Sequence, residues 1–492
     1  MINRLEITSA SGRVLKLDNF NLQPGKLHFL FGESGIGKSL TAKALYGLLD
    51  QTGLRIQIDD NSYDEYLKNH RVKELQQNSF FVFQEPSTHF NPLLRIRTQL
   101  HEGLLKDSRY DPLLEVLWPD KALNEVDDLL TIFPQPFRPS GGEKQRILLV
   151  MALARLDQWI DRKQRDDPHL FVFDEPTGSL DDRLRNIFMD ELVSRHRSVA
   201  FTGLIITHDY TLLPYLLSRH PDISAYCEFL EFKKQGGEVN VSKFLPQEFT
   251  HWLDQIQSPE QTAAETVLKM EGHAASSSHD LHISTEKSEE SPLDLMKGHW
   301  AYLKGPSGAG KTTIAKLIMG LAPARYLHLR LAGQTLRETT PSSVWQTSHW
   351  GKTVSMVFQH ADESLNRDAS VKHLFQGLPT LKSSLFDEAM QLMFGTSITA
   401  EFWDRPVRYL SGGEKQRLNL IRAVSLGTDV VILDEPFSGM DFTLMSKLLP
   451  FLEARRKAGQ AFLIISHQEA IFDRLVAPSS IYQVQSAALR TS

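Results

Sequence analysis

Short, nearly unbroken apolar runs recur along the chain: Leu27–Phe31, Leu170–Phe173, Leu204–Ile206, Val430–Leu433 and Phe462–Ile465. Runs of this length without polar alternation suit strands covered on both faces, as in a parallel sheet between layers of helix. Longer stretches of helical character separate them. The pattern predicts an α/β fold with a mainly parallel sheet.

The pattern is written twice, which sets the domain count. Gly32-Glu-Ser-Gly-Ile-Gly-Lys38-Ser39 returns as Gly305-Pro-Ser-Gly-Ala-Gly-Lys311-Thr312. Phe81-Val-Phe-Gln84 returns as Met356-Val-Phe-Gln359, and Ser140-Gly-Gly-Glu-Lys-Gln-Arg146 as Ser411-Gly-Gly-Glu-Lys-Gln-Arg417. Phe173-Asp174-Glu175-Pro176 returns as Leu433-Asp434-Glu435-Pro436, and Thr207-His208 as Ser466-His467. The successive offsets are 273, 275, 271, 260 and 259 residues. The drop after the third places 11 extra residues in the first half, around Asp157–His169, where polar and charged side chains predict a surface insertion. The domains expected are 1–254 and 296–492. Residues 255–295, with serine clusters, eight acidic and two basic residues, are expected to be a linker in which Val267–Met270 could be a first strand of the second domain.

Gly-x-x-x-x-Gly-Lys-Ser/Thr after a strand and before a helix is a phosphate-binding loop. Its glycines let backbone N–H groups curl around phosphate oxygens, and the following helix turns its positive end to the same anion. The candidate phosphate ligands are Gly32, Ser34, Gly35, Gly37 and Lys38 in the first half, and Gly305, Ser307, Gly308, Gly310, Lys311 and Thr313 in the second. Ser39 and Thr312 are placed to ligate Mg²⁺. Asp174-Glu175 and Asp434-Glu435 close apolar runs, and carboxyl ends of parallel strands are where ligands bind. The first acid of each pair suits Mg²⁺; the second suits a base that activates or orients the attacking water. Ser140 with Glu143, and Ser411 with Glu414, have capping-box spacing. A cap does not require the adjacent pairs Gly141-Gly142 and Gly412-Gly413, which would let a phosphate held by another domain approach the helix start.

These five ordered elements resemble the ABC-transporter ATPase family over nearly the whole chain. The resemblance implies two nucleotide-binding domains of the P-loop type in tandem, each a mainly parallel sheet with a helical subdomain, and hydrolysis of MgATP. It implies that ATP at Lys38 meets Ser411, Gly412 and Gly413, and that ATP at Lys311 meets Ser140, Gly141 and Gly142. His208 and His467 would contact the γ-phosphate. Gln84 and Gln359 would sense Mg²⁺ and a membrane partner, and Asp181 and Asp441 fit the family's D-loop. The first half departs in Pro139, where the second has the usual Leu410.

The Glu-Pro-Ser-Thr-His-Phe-Asn-Pro stretch after Gln84 is similar to that of peptide, nickel and metallophore importer ATPases. The resemblance implies two transmembrane permease subunits, an extracytoplasmic substrate-binding protein and a place on the cytoplasmic face of the inner membrane. The alternatives are the ATPase module of an exporter, or a soluble tandem factor acting on ribosomes or DNA. A net charge of −6 argues against nucleic acid. A single cysteine, Cys227, excludes an internal disulfide and a cysteine-held zinc or iron–sulfur cluster. No apolar run reaches the roughly 18–20 residues of a membrane helix, and the start lacks the layout of a signal peptide.

Overall fold

The computed structural model describes residues 2–9, 12–101, 110–131, 139–162, 167–178, 180–235, 238–260, 264–306, 308–378, 384–395 and 398–488. The chain forms two compact units, Met1–Glu248 and Phe249–Ser492. No helix among the described residues is long and apolar enough to cross a membrane.

In the first unit the strand Leu27–Gly32 is buried along its length. It pairs in parallel with Gly203–Ile206 on one side and Cys227–Gln235 on the other. Phe171–Asp174 and Phe81–Val82 extend the parallel ladder, and the antiparallel strand Glu238–Lys243 closes the far edge. A separate antiparallel sheet joins Ile2–Ser9, Gly12–Phe20, Leu54–Ile58 and Asn61–Ser62. The helices Ile96–His101, Asp111–Leu117 and Leu123–Thr131 form the helical part between Gln84 and the first signature. The second unit repeats the plan. Its parallel strands are Ile481–Ala488, Trp300–Lys304, Ala461–Ile465, Val430–Asp434 and Val354–Val357. The fold class read from the apolar runs is the one observed, because each run is a sheet strand with helices packed over it.

Three details differ from the sequence reading. Residues 255–295, expected to be linker with a possible first strand at Val267–Met270, contain that strand as Thr266–Met270 and three more, His273–Ser276, His279–Ser284 and Leu293–Met296. Leu281 and Ile283, like Leu293 and Leu295, are buried on one face while Asp280, His282 and Asp294 occupy the alternate positions. Most of the acidic residues of the stretch, Glu260, Glu265, Glu271, Glu286, Glu289 and Glu290, lie between or before these strands, while the apolar face of the strands builds core.

The helix Pro246–Gln255 crosses the point where the first domain was expected to end. Phe249 and Leu253 are buried, and Phe249 and Trp252 both meet Phe442 edge-on, with centroids 5.5 Å apart in each case. The core of the second unit therefore reaches back to Phe249.

The extra residues around Asp157–His169 were expected on the surface. Their described part instead lengthens the signature helix, which spans Gly141–Ile160, whereas the equivalent helix of the second unit spans only Gly412–Ser425. Leu156 and Trp159 are buried, and Trp159 packs against His169 and Phe171. Residues 163–166 of this stretch lie outside the described residues.

Candidate functional site

Each phosphate loop is shaped by close backbone packing. Gly37 and Gly310 stand in the left-handed region, with φ of 112° and 94°, at the last position before a helix. A Cβ there would meet the methyl ends of Leu15 in the first unit and Leu281 in the second, and the left-handed conformation strains any residue other than glycine. The helices Lys38–Tyr46 and Lys311–Ile318 follow. Lys38 Nζ donates to the carbonyls of Gly32 (2.5 Å) and Glu33 (3.0 Å). Lys311 Nζ donates to Gly305 (2.6 Å) and Pro306 (3.0 Å) in the same way. Ser307, expected in the second loop, lies outside the described residues, as does Ser179 beside Asp181.

The hydroxyl that opens each helix meets the acid that ends the neighbouring strand. Ser39 Oγ donates to Asp174 Oδ1 at 2.8 Å, and Thr312 Oγ1 donates to Asp434 Oδ2 at 2.9 Å. Burial pushes both aspartate carboxyls up to about 6. Asp434 Oδ1 is buried with no hydrogen-bond partner among the described residues. A buried carboxylate oxygen beside a hydroxyl is a donor set of the kind that suits a hard dication.

The next residue is strained in both units. Glu175 and Glu435 have φ of 48° and 51°, a left-handed conformation that costs roughly 1–2 kcal/mol in a non-glycine residue. Their N–H groups donate to Ile206 (2.9 Å) and Ile465 (2.8 Å). The same strained turn in two copies places two carboxylates at equivalent strand ends. His208 Nδ1 lies 2.8 Å from Glu175 Oε1, and the glutamate's negative charge raises the imidazole above its ordinary value. In the second unit Glu435 accepts from Ser466 Oγ and from the backbone N–H of His467, each at 3.0 Å, and burial raises its carboxyl to about 8.

A cleft of ≈ 190 Å³ in the second unit is lined by Gly308, Ala309, Gly310, Lys311, Thr312, Thr313, Gln359, Asp434, Glu435, Ile465 and His467. Four of the five separated sequence elements thus share one surface, and the signature is the one that does not line it. Gln84 in the first unit is exposed.

The signatures sit at the starts of their helices. Ser140 and Ser411 form complete capping boxes with Glu143 and Glu414. A Cβ added at Gly141 or Gly412 would meet nothing within 4 Å, so both helix tips face open space. Pro139 leaves the first tip unchanged, as expected for proline just ahead of a helix. Asp181 and Asp441 cap the helices Asp182–Ser198 and Phe442–Lys457.

Two supporting sets were not foreseen from sequence. The signature arginines lie over aromatic rings: Arg146 over Trp118 at 4.8 Å and Arg417 over Phe394 at 4.9 Å. The signature lysines reach the segments that follow the glutamines: Lys144 Nζ donates to Ser87 (3.0 Å) and Lys415 Nζ to Asp362 (2.8 Å). The available signal was the repetition of Lys-Gln-Arg in both copies.

The profile of the ABC transporter family matches residues 15–178 and 289–438, more than half of the chain and once in each unit. The chain belongs to the ABC transporter family. It is accordingly a nucleotide-binding ATPase with two tandem ABC domains. The glutathione import ATP-binding protein GsiA of Shigella boydii serotype 4 (strain Sb227) is 24% identical over 524 residues, spanning 93% of this chain and 80% of its own. The protein of that name from Escherichia coli (strain K12) is 24% identical over 518 residues with the same shares. Among solved structures, RNase-L inhibitor gives a TM-score of 0.63 at 18% identity, covering 99% of this chain and 90% of its own. The archaeal ribosome recycling factor aABCE1, in complex with the ribosomal stalk protein aP1, gives 0.62 at 18% identity, covering 97% and 88%. At that identity the structural likeness speaks for the tandem ABC fold.

Proposed function

We propose that this ABC ATPase powers import of a small peptide or similar solute through two separate membrane permease subunits fed by an extracytoplasmic binding protein. The observation that carries the reading is the likeness to glutathione import ATP-binding proteins along 93% of the chain, through both halves. The Pro-containing stretch after Gln84 supports it. On this reading the chain works at the cytoplasmic face of the membrane. Nickel and metallophore cargoes are finer alternatives within the same class.

The phosphate loops at Lys38 and Lys311 hold the β- and γ-phosphates. Mg²⁺ would be held by Ser39 with Asp174 and by Thr312 with Asp434, beside Gln84 and Gln359, and would neutralise charge on the transferring phosphoryl group when bound. Glu175 and Glu435 orient the attacking water, and His208 and His467 face the terminal phosphate. The helix starts at Ser140–Gly142 and Ser411–Gly413 would offer N–H groups to an anion, with Gly141 and Gly412 open to it and Gly413 buried.

A tandem factor acting on ribosomes is the second reading, and its support is a likeness of fold. Affinity purification of the full chain from detergent-solubilised membranes separates the two. Permease subunits and solute-dependent stimulation of ATPase activity are expected; ribosomes in place of permeases would overturn the importer reading.

A further inference from the structure

The two strained glutamates are held by different neighbours. In the first unit the imidazole of His208 meets the Glu175 carboxylate at 2.8 Å. In the second unit the nearest imidazole nitrogen, His467 Nε2, is 3.7 Å from Glu435 Oε1. Both carboxylate oxygens of Glu435 are instead taken by the chain just before and at that histidine. Ser466 Oγ donates to Oε2, and the His467 N–H donates to Oε1, each at 3.0 Å.

Two donors on two oxygens fix both the position and the rotation of a carboxylate, which a single contact does not. Ser466 can give its proton to Glu435 because its oxygen already accepts from the Gln468 N–H at 3.1 Å. The side chain is nearly fully buried, and its own carbonyl accepts from Tyr302 Oη at 2.9 Å. Its counterpart Thr207 accepts the matching bond, from the Asp209 N–H at 3.0 Å. The turn is thus common to both units, and the hydroxyl-to-glutamate bond distinguishes the second.

We propose that Ser466 is a positioning residue of the second site, orienting Glu435 toward the attacking water, a task that falls to the imidazole of His208 in the first. The proposal rests on the reading of Glu435 as the residue that orients that water. Equivalent positions in the two halves therefore carry unequal duties.

The test is steady-state ATP hydrolysis by the full chain. Ser466→Ala is expected to lower kcat between about tenfold and a hundredfold, the scale of misplacing a reacting group by about 1 Å, with KM for ATP little changed. Ser466→Thr, which keeps a hydroxyl on the same Cβ, retains most of the rate. Thr207→Ala removes the same turn bond in the first unit and costs much less. Ser466→Ala added to Glu435→Gln produces no further loss, because the group it positions is already gone. Matching melting temperatures for Ser466→Ala and Thr207→Ala show that the turn itself survives. Wild-type kcat in Ser466→Ala, an equal loss in Thr207→Ala, or a further loss in the double variant would each overturn the proposal. If Glu435→Gln itself hydrolyses ATP at the normal rate, the failure lies in the role assigned to Glu435.

Discussion

His208 Nδ1 lies 2.8 Å from Glu175 Oε1, whereas the matching histidine of the second unit, His467, approaches Glu435 through Nε2 at 3.7 Å. Removing the imidazole should therefore matter more in the first site. His208→Ala is expected to slow turnover roughly 10²-fold or more, the lower end for loss of a positioned acid–base pair. His467→Ala leaves Glu435 bonded to Ser466 and to the backbone, and should cost less. A larger loss at His467, measured by steady-state hydrolysis, would reverse the assignment.

Glu175→Gln and Glu435→Gln keep the shape of the strained turn and remove the carboxyl group that can take up a proton. Each is expected to retain ATP binding and to slow hydrolysis by roughly 10²–10⁴-fold. Nucleotide affinity by fluorescence and turnover by phosphate release separate the two effects. Normal hydrolysis in the double variant would exclude both glutamates.

Gly141 and Gly412 face open space, so a larger side chain is tolerated by the fold and obstructs only what approaches the helix tip. Gly141→Val and Gly412→Val are expected to leave ATP binding at the phosphate loops and thermal stability near wild type while turnover falls. Unchanged turnover would remove the signatures from the reaction.

His28 is fully buried between the Gln23 N–H, which its Nε2 accepts at 2.9 Å, and the Gly203 carbonyl 3.2 Å from its Nδ1. That arrangement needs the neutral ring, and burial lowers its pKa from the ordinary 6.5. The folded chain then binds fewer protons at this site than the unfolded one, so the stability it contributes is present above pH 6.5 and falls away as pH drops through and below that value. Protonation forfeits a hydrogen bond contributing about 0.5–1.5 kcal/mol. His28→Asn should be less stable than wild type at neutral pH, with the gap narrowing toward pH 5 in denaturant titrations. A gap that stays constant with pH would rule this out.

Phe249→Ala should destabilise the second unit by about 3–5 kcal/mol, the usual cost of deleting a buried aromatic ring. Its ring is fully buried against Trp252 and Phe442. Urea unfolding followed by tryptophan fluorescence reads the effect. A change below about 1 kcal/mol would mean that the helix does not belong to that core.

The chemistry of the site was legible because it is carried by local patterns. A glycine-rich loop ending in Lys-Ser or Lys-Thr, an apolar run ending in Asp-Glu, and a Ser-x-x-Glu cap each encode their own backbone geometry within eight residues or fewer. Their duplication in one order made the two-domain plan plain. The stretch 255–295 was less legible, since its strands are short and half polar and the acidic residues of the connections between them outweighed Leu281, Ile283, Leu293 and Leu295 in composition.

The sequence alone determined the family and marked the candidate site: two glycine-rich loops, the hydroxyl after each loop lysine, and the Asp-Glu pair that follows each apolar run. Only the tertiary structure decided how each glutamate is held, since Thr207-His208 and Ser466-His467 read alike as letters. Whether a carboxylate receives an imidazole or a hydroxyl depends on side-chain rotamers, and those are fixed by packing across the sheet, not by any one segment.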